Sequence, residues 1–128
     1  MGIVHPDRSI IKSLKGAEKA FVPVLADGLS DSWFIFTRQD LWTPQRPFEI
    51  DVLLMHEKYG FLAMEVKGGP VRIEKGEWYR GNHHFEPSPV RQSQNAAYKL
   101  RDHLQQNSEY LKHINIPHAV VLPDVLKL

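Results

Sequence analysis

A chain of 128 residues with 42% hydrophobic and 24% charged side chains has the make-up of one globular domain large enough to bury a core, which excludes a disordered or membrane-spanning class. Its formal net charge of +1 does not announce a nucleic-acid binder, so any such function must rest on local charge. The count of zero cysteines removes disulfides, thiolate metal sites and cysteine nucleophiles, leaving Asp, Glu, His, Lys and Ser for chemistry.

The first residues, MGIVHPDRSIIKSLKG, lack the basic start and apolar block of a secretory signal, and no apolar run approaches the ~20 residues that cross a bilayer; the expected compartment is the cytoplasm. Residues 9–28 predict a helix with Leu14, Ala17, Phe21 and Leu25 on its apolar face and Gly28 as its stop. Pro23 lies inside that pattern and predicts a kink or a break. SWFIFT at 32–37 is a strand by its aromatic and β-branched content, and residues 41–48, with Pro44 and Pro47, form a loop feeding a strand at 49–56. HEKYG turns the chain into the strand FLAMEVK at 61–67, which GGP at 68–70 ends.

VRIE at 71–74 and EWYR at 77–80 predict a hairpin around Lys75 and Gly76, and HHFEP adds a short edge strand. Ser88 is the cap and Pro89 the first-turn residue of a long helix through about His113, with Ala97, Leu100, Leu104 and Leu111 on its apolar face. PHAVVLPD at 117–124 predicts a last, buried strand. The order is α-β-β-β-α-β with small extra strands, and a helical crossover from the third strand to the last implies an α/β fold with a mixed central sheet flanked by helices. The final LKL follows that strand with no terminal element, so residues 1–128 are expected to be a single domain at the N-terminal side of a longer protein.

The stretch EIDVLLMHEKYGFLAMEVKGG, residues 49–69, carries ionised groups where core strands end. Burying such groups costs several kcal/mol unless they are paired or bind a metal. A regular hairpin centred on Lys58 sets Asp51 across from Glu65, and the period of two along a strand puts Glu65 and Lys67 on the same face, about 6.5 to 7 Å apart at Cα. Directly opposed residues have Cβ atoms only ~4.5 to 5.5 Å apart, so the two carboxylates repel unless a cation lies between them or one stays protonated. A divalent cation is the economical answer, and oxygen ligands without thiolate suit Mg2+ or Mn2+. Lys67 then supplies a charge that lowers the pKa of a metal-bound water, moves a proton, or neutralises a phosphorane-like transition state. This is the chemistry of phosphodiester hydrolysis.

Asp51 followed by Glu65-Val66-Lys67 on the next strand resembles the D…ExK core of the PD-(D/E)xK nuclease superfamily. From residue 14 to 124 the chain is similar to a NERD (nuclease-related) domain, in Gly16-Ala17-Glu18, EIDVLL, AMEVKGG, GEWYR, PVRQ and the closing VVLPD. The resemblance implies a restriction-endonuclease-like core and a Mg2+- or Mn2+-dependent deoxyribonuclease. It also implies Asp51 and Glu65 as metal ligands, the Val66 carbonyl as a further ligand, Lys67 as the catalytic lysine and Glu18 as the acidic residue of the first helix. Gln92 fits the family's Pro-x-x-Gln pattern and is preferred as the helix glutamine, while Gln94 with Tyr98 fits the QxxxY pattern of RecB-type nucleases. Ile50 stands where the superfamily name has proline. DNA is the implied partner, with a C-terminal helicase or other DNA-processing module and a homodimer as further expectations, and no membrane.

Other features read more plainly. Lys12, Lys15 and Lys19, and later Arg91, Lys99 and Arg101, are expected on solvated helix faces, although they could edge a groove. The seven histidines show no HxxxH or HExxH spacing, which argues against a zinc site. Ser88 and Ser93 lack a nearby base in the sequence, which argues against a serine nucleophile. Trp33, Trp42 and Trp78 read as packing residues rather than base-stacking platforms. The rival readings are a non-catalytic nucleic-acid-binding module and a protein-interaction module using the sheet edge and the Trp42 loop.

Overall fold

Runs of aromatic and β-branched residues pair into a five-stranded sheet of order β1-β2-β3-β4-β8, formed by Ile3–Val4, Trp33–Thr37, Val52–His56, Gly60–Val66 and His118–Val121. The sheet is mixed, with β2, β3 and β4 antiparallel in sequence and β1 and β8 added parallel at its two edges. The structure is a computed structural model that describes residues 1–5, 7–37 and 50–125. Trp42, Pro44, Pro47 and the Glu49 that heads the third predicted strand lie outside the described residues, as do residues 126–128.

Alternation along the central strands divides the core into two layers. Ile35, Val52, Leu54, Met64 and Val66 pack on one face with Val22 and Ala26 of α1, Gly16–Gly28. Leu53 and Ala63 pack on the other face with Ala96, Ala97 and Leu100 of α2, Pro89–Asn107. This α/β/α layering is the predicted fold class, compatible with a restriction-endonuclease-like core. A separate antiparallel sheet of β5, β6 and β7 (Val71–Glu74, Glu77–Arg80 and His83–His84) is inserted before α2. Lys75 and Gly76 close its hairpin with φ of 49° and 80°, the left-handed pair that a two-residue turn needs.

The structure departs from the sequence expectation in four places. The first helix is divided into a 3-10 helix, Arg8–Ser13, and α1, with the break at Leu14 and Lys15 rather than at Pro23. Leu14 takes an extended conformation that drives its side chain, 2% exposed, into the core, and the turn cannot continue through it. α1 runs unbroken through Pro23, whose missing N–H leaves the carbonyl of solvent-exposed Lys19 free to meet water. Asp7 caps the 3-10 helix, and its carboxyl is held below the usual carboxylate range by the Ser9 hydroxyl and then the Ser9 amide.

α2 ends at Asn107, short of the expected His113, because Ser108 is extended and a 3-10 turn at Glu109–Leu111 redirects the chain. That reversal returns Ile114 and Ile116 to the α2-side core and feeds β8. β8 is half-buried rather than buried, since it lies at the sheet edge and pairs only with β4 among the described strands. The strand β1 has no counterpart in the expected order, because two residues are too short to show a period.

The predicted cap of α2 is in place: Ser88 Oγ accepts from the Arg91 amide at 3.2 Å and Pro89 opens the helix. Ser88→Ala is expected to lower stability by about 1 kcal/mol in a urea titration, whereas Ser88→Asp should not.

Candidate active site

The register Val52↔Met64 through His56↔Gly60 is the one that a hairpin centred on Lys58 requires; the ladder ends at that first pair, and Asp51, one residue before β3, lies in a bend. Val52, Leu54, Met64 and Val66 face α1, so alternation turns Glu65 to the α2 side of the sheet, while Asp51 reaches β4 through its side chain. Asp51 is 4% exposed, and its Oδ2 accepts from the Val66 amide at 2.9 Å. Glu65 Oε1 lies 3.1 Å from Lys67 Nζ, with the two side chains 13% and 19% exposed. Each of these carboxylates therefore has a partner inside the chain. An amide engages Asp51 and an ammonium engages Glu65.

Lys67 is steadied from a second direction. Its Nζ lies 5.3 Å from the ring centroid of Phe85, a side chain only 5% exposed, and its amide donates to Val121 O at 3.0 Å. The Arg80 guanidinium also sits 5.3 Å from that ring, and its Nη1 donates to Gly68 O at 3.0 Å. On the other side of this turn, the Gly69 amide donates to Asp124 Oδ2 at 2.7 Å. Gly68 has no Cβ because Ala17 leaves no room: an added Cβ would lie 2.8 Å from Ala17 Cβ. This close approach carries the first turn of α1, with half-buried Glu18, to the end of β4.

Of the two glutamines, Gln92 donates through Nε2 to Pro87 O at 2.9 Å, and Gln94 donates to the Tyr98 hydroxyl at 3.1 Å. Gln92 thus braces the segment that follows Phe85, while Gln94 serves the helix surface. Val66 is 7% exposed and spends its N–H on Asp51. The donor set around Asp51 suits a hard divalent cation, because its side-chain donors are carboxylate oxygens and the chain contains no thiolate. A carboxylate oxygen that accepts one amide keeps further lone-pair capacity for a cation.

Arg80 and Phe85 were missed by sequence reasoning. GEWYR and HHFEP show only an amphipathic hairpin, and nothing in them signals that the small sheet folds back onto the chain leaving β4. Two features of histidine and serine were not visible in the sequence. Ser93, 2% exposed, does have a nitrogen base beside it, with Oγ 3.0 Å from His118 Nδ1. Its proton is already committed to Val90 O at 2.8 Å, so His118 donates to Ser93 rather than activating it, and the pair pins α2 to β8. Glu77, His84 and Glu86 bring ligand atoms within 4.8 Å of one another on the small sheet, a spacing compatible with a divalent cation that no linear motif reveals. All three are exposed, and a 2.8 Å hydrogen bond between His84 and Glu77 accounts for the closest approach.

The remaining residues behave as solvent or packing elements. Lys12, Lys15, Lys19, Arg91 and Lys99 are exposed, and Arg101 contacts Asp102 at 3.1 Å. Trp33 packs against the α1-side core with its ring 4.7 Å from His56 and 6.2 Å from Tyr59. Among the described residues no helix is long and apolar enough to cross a membrane.

A family model described as nuclease-related domain (NERD) matches residues 13–123. No curated protein and no solved structure matches the chain.

Proposed function

We propose that this chain, which belongs to the nuclease-related (NERD) domain family, is a Mg2+- or Mn2+-dependent nuclease that hydrolyses phosphodiester bonds of DNA. The observation that supports the reading is that Asp51 engages the Val66 amide, between Glu65 and Lys67, which pair at 3.1 Å, with all three side chains largely buried at the end of β4. Asp51, Glu65 and the Val66 carbonyl are the residues that would hold the cation, with Glu18 approaching from α1. Bound there, the cation would supply Lewis-acid polarisation of the phosphate and a water of lowered pKa.

The chain's own groups do the rest. The Val66 amide fixes the orientation of the Asp51 carboxylate. The ammonium of Lys67 offsets negative charge developing on the phosphate oxygens, and its contacts with Glu65 and Phe85 hold it in place before substrate arrives. Gln92, through Pro87, supports the segment bearing Phe85. A C-terminal helicase or other DNA-processing module and a pairing of two copies extend the same reading, and the oligomeric part is checked by light scattering with and without DNA.

The Glu65–Lys67 pair favours one alternative, a structural charge network on a non-catalytic nucleic-acid-binding module. Calorimetric titration of Mn2+ into the wild type and into Asp51→Asn, followed by incubation of each with plasmid DNA, separates the two. The nuclease reading expects binding and nicking in the wild type and loss of both in the variant. Asn keeps an oxygen for the Val66 amide, so the fold survives while the charge is lost. A wild type that takes up no Mn2+ and leaves plasmid intact sinks the proposal.

A further inference from the structure

We propose that Arg80 is a phosphate-binding residue for the nucleic-acid backbone, presented beside Lys67 by the small β5–β7 sheet; this rests on the nuclease reading above. The starting observation is an imbalance among the arginines. Arg8, Arg72 and Arg101 each face a carboxylate, at 3.3, 2.8 and 3.1 Å. Arg80 faces none among the described residues. Its guanidinium donates once, from Nη1 to Gly68 O, and rests against the Phe85 ring, leaving its other N–H groups without a protein acceptor among the described residues.

The arrangement orders the guanidinium without neutralising it. Phe85 is buried, so the ring is a fixed platform, and both Arg80 and Lys67 lie 5.3 Å from its centroid. Two cations held against one ring repel each other, and while Glu65 pairs with Lys67, the guanidinium of Arg80 faces no carboxylate among the described residues, a local feature that the net charge of +1 hides. An anion between or beside them relieves that repulsion. The planar fork of an arginine matches the paired oxygens of a phosphodiester, and Arg80 is exposed at the surface where a strand would pass. Gly69 sustains the approach: at φ of 82° it turns the chain under the arginine, and an added Cβ would stand 3.0 Å from Arg80 Cδ. Lys67 would then meet the phosphate being cleaved, and Arg80 a neighbouring one.

The test is fluorescence anisotropy of a labelled DNA duplex with the full chain in EDTA, where cleavage does not intervene, across a salt series. For the wild type, affinity should fall with salt. Arg80→Gln should bind about tenfold more weakly and lower the slope of log K against log salt by about 1, and Arg80→Lys should restore the slope. Arg101→Gln, a control that removes a charge elsewhere, should leave the slope unchanged. A merely structural Arg80 would alter the melting temperature without this selective change in slope. If Arg80→Gln does not fold, Phe85→Leu, which removes the platform and keeps the charge, is expected to weaken binding at least severalfold. Equal slopes for the wild type and Arg80→Gln, or unweakened binding by a Phe85→Leu used in its place, overturn the assignment while leaving the nuclease reading standing. A wild type with no salt-dependent affinity for DNA removes both.

Discussion

On the proposed nuclease reading, Lys67→Ala should reduce plasmid nicking by about a hundredfold or more while Mn2+ still binds, because the ammonium would stabilise charge that appears only as the phosphodiester is attacked. The same substitution has a second consequence that a purely catalytic lysine would not produce. Glu65 loses its ion-pair contact at 3.1 Å while only 13% exposed, and Asp51, 4% exposed, sits on the adjoining Val66 amide. Two poorly solvated carboxylates without the ammonium should lower stability by about 1 to 3 kcal/mol in cation-free buffer. Added Mn2+ should then raise the melting temperature of Lys67→Ala by more than that of the wild type, since a cation held by Asp51 and Glu65 would compensate both charges. Nicking assays and thermal melts with and without MnCl2 check the two halves separately. Unchanged nicking would remove Lys67 from the chemistry, and an unchanged thermal response to Mn2+ would remove Asp51 and Glu65 as the cation's ligands.

The hairpin explains why this part of the molecule was legible in the sequence. Its two apolar runs are nearly unbroken because both faces of the sheet are covered, and its short turn sets the register. The pairs from His56↔Gly60 to Val52↔Met64 therefore follow from counting, whereas Asp51 and Lys67 lie just beyond the strands. The hairpin at Lys75-Gly76 and the Ser88-Pro89 helix start were legible for a similar reason, since each depends on residues adjacent in the chain. What could not be counted depends on contacts distant in sequence. Leu14 breaks the first helix because of where the core lies, and Ile114 and Ile116 shorten the second because they must reach Ala63 and Leu53. Ser93 meets His118 across 25 residues, and Arg80 reaches Gly68 only after a whole small sheet has folded back. Charge clusters misled in the opposite direction: the lysines that stood out in the sequence are solvated, while the cations gathered at Phe85 belong to segments that show no cluster.

The turn at Gly68 joins α1 to the site, and Gly68→Ala should loosen both together. The new Cβ would lie 2.8 Å from Ala17 Cβ and 3.2 Å from Asp124 Oδ2, well inside the ~3.5 to 4.0 Å at which carbon atoms pack without strain. Either α1 moves off the sheet or the turn moves away from α1. Overpacking of this kind costs about 1 to 3 kcal/mol. A displaced turn would also disturb the Arg80 bond to Gly68 O and the Asp124 bond to the Gly69 amide, so nicking should fall along with stability. Removing the opposing methyl group isolates the cause: in an Ala17→Gly background the cost of Gly68→Ala should shrink by about 1 kcal/mol or more, a coupling that urea titrations of the four proteins in the cycle can measure. Gly69→Ala supplies the contrast. Its cost comes from a left-handed backbone at φ of 82° and from contact with the flexible stem of Arg80, so Ala17→Gly should not relieve it. Additive losses for Gly68→Ala and Ala17→Gly would mean that α1 and the end of β4 are not in register through this contact, and that Glu18 is not brought to the site by it.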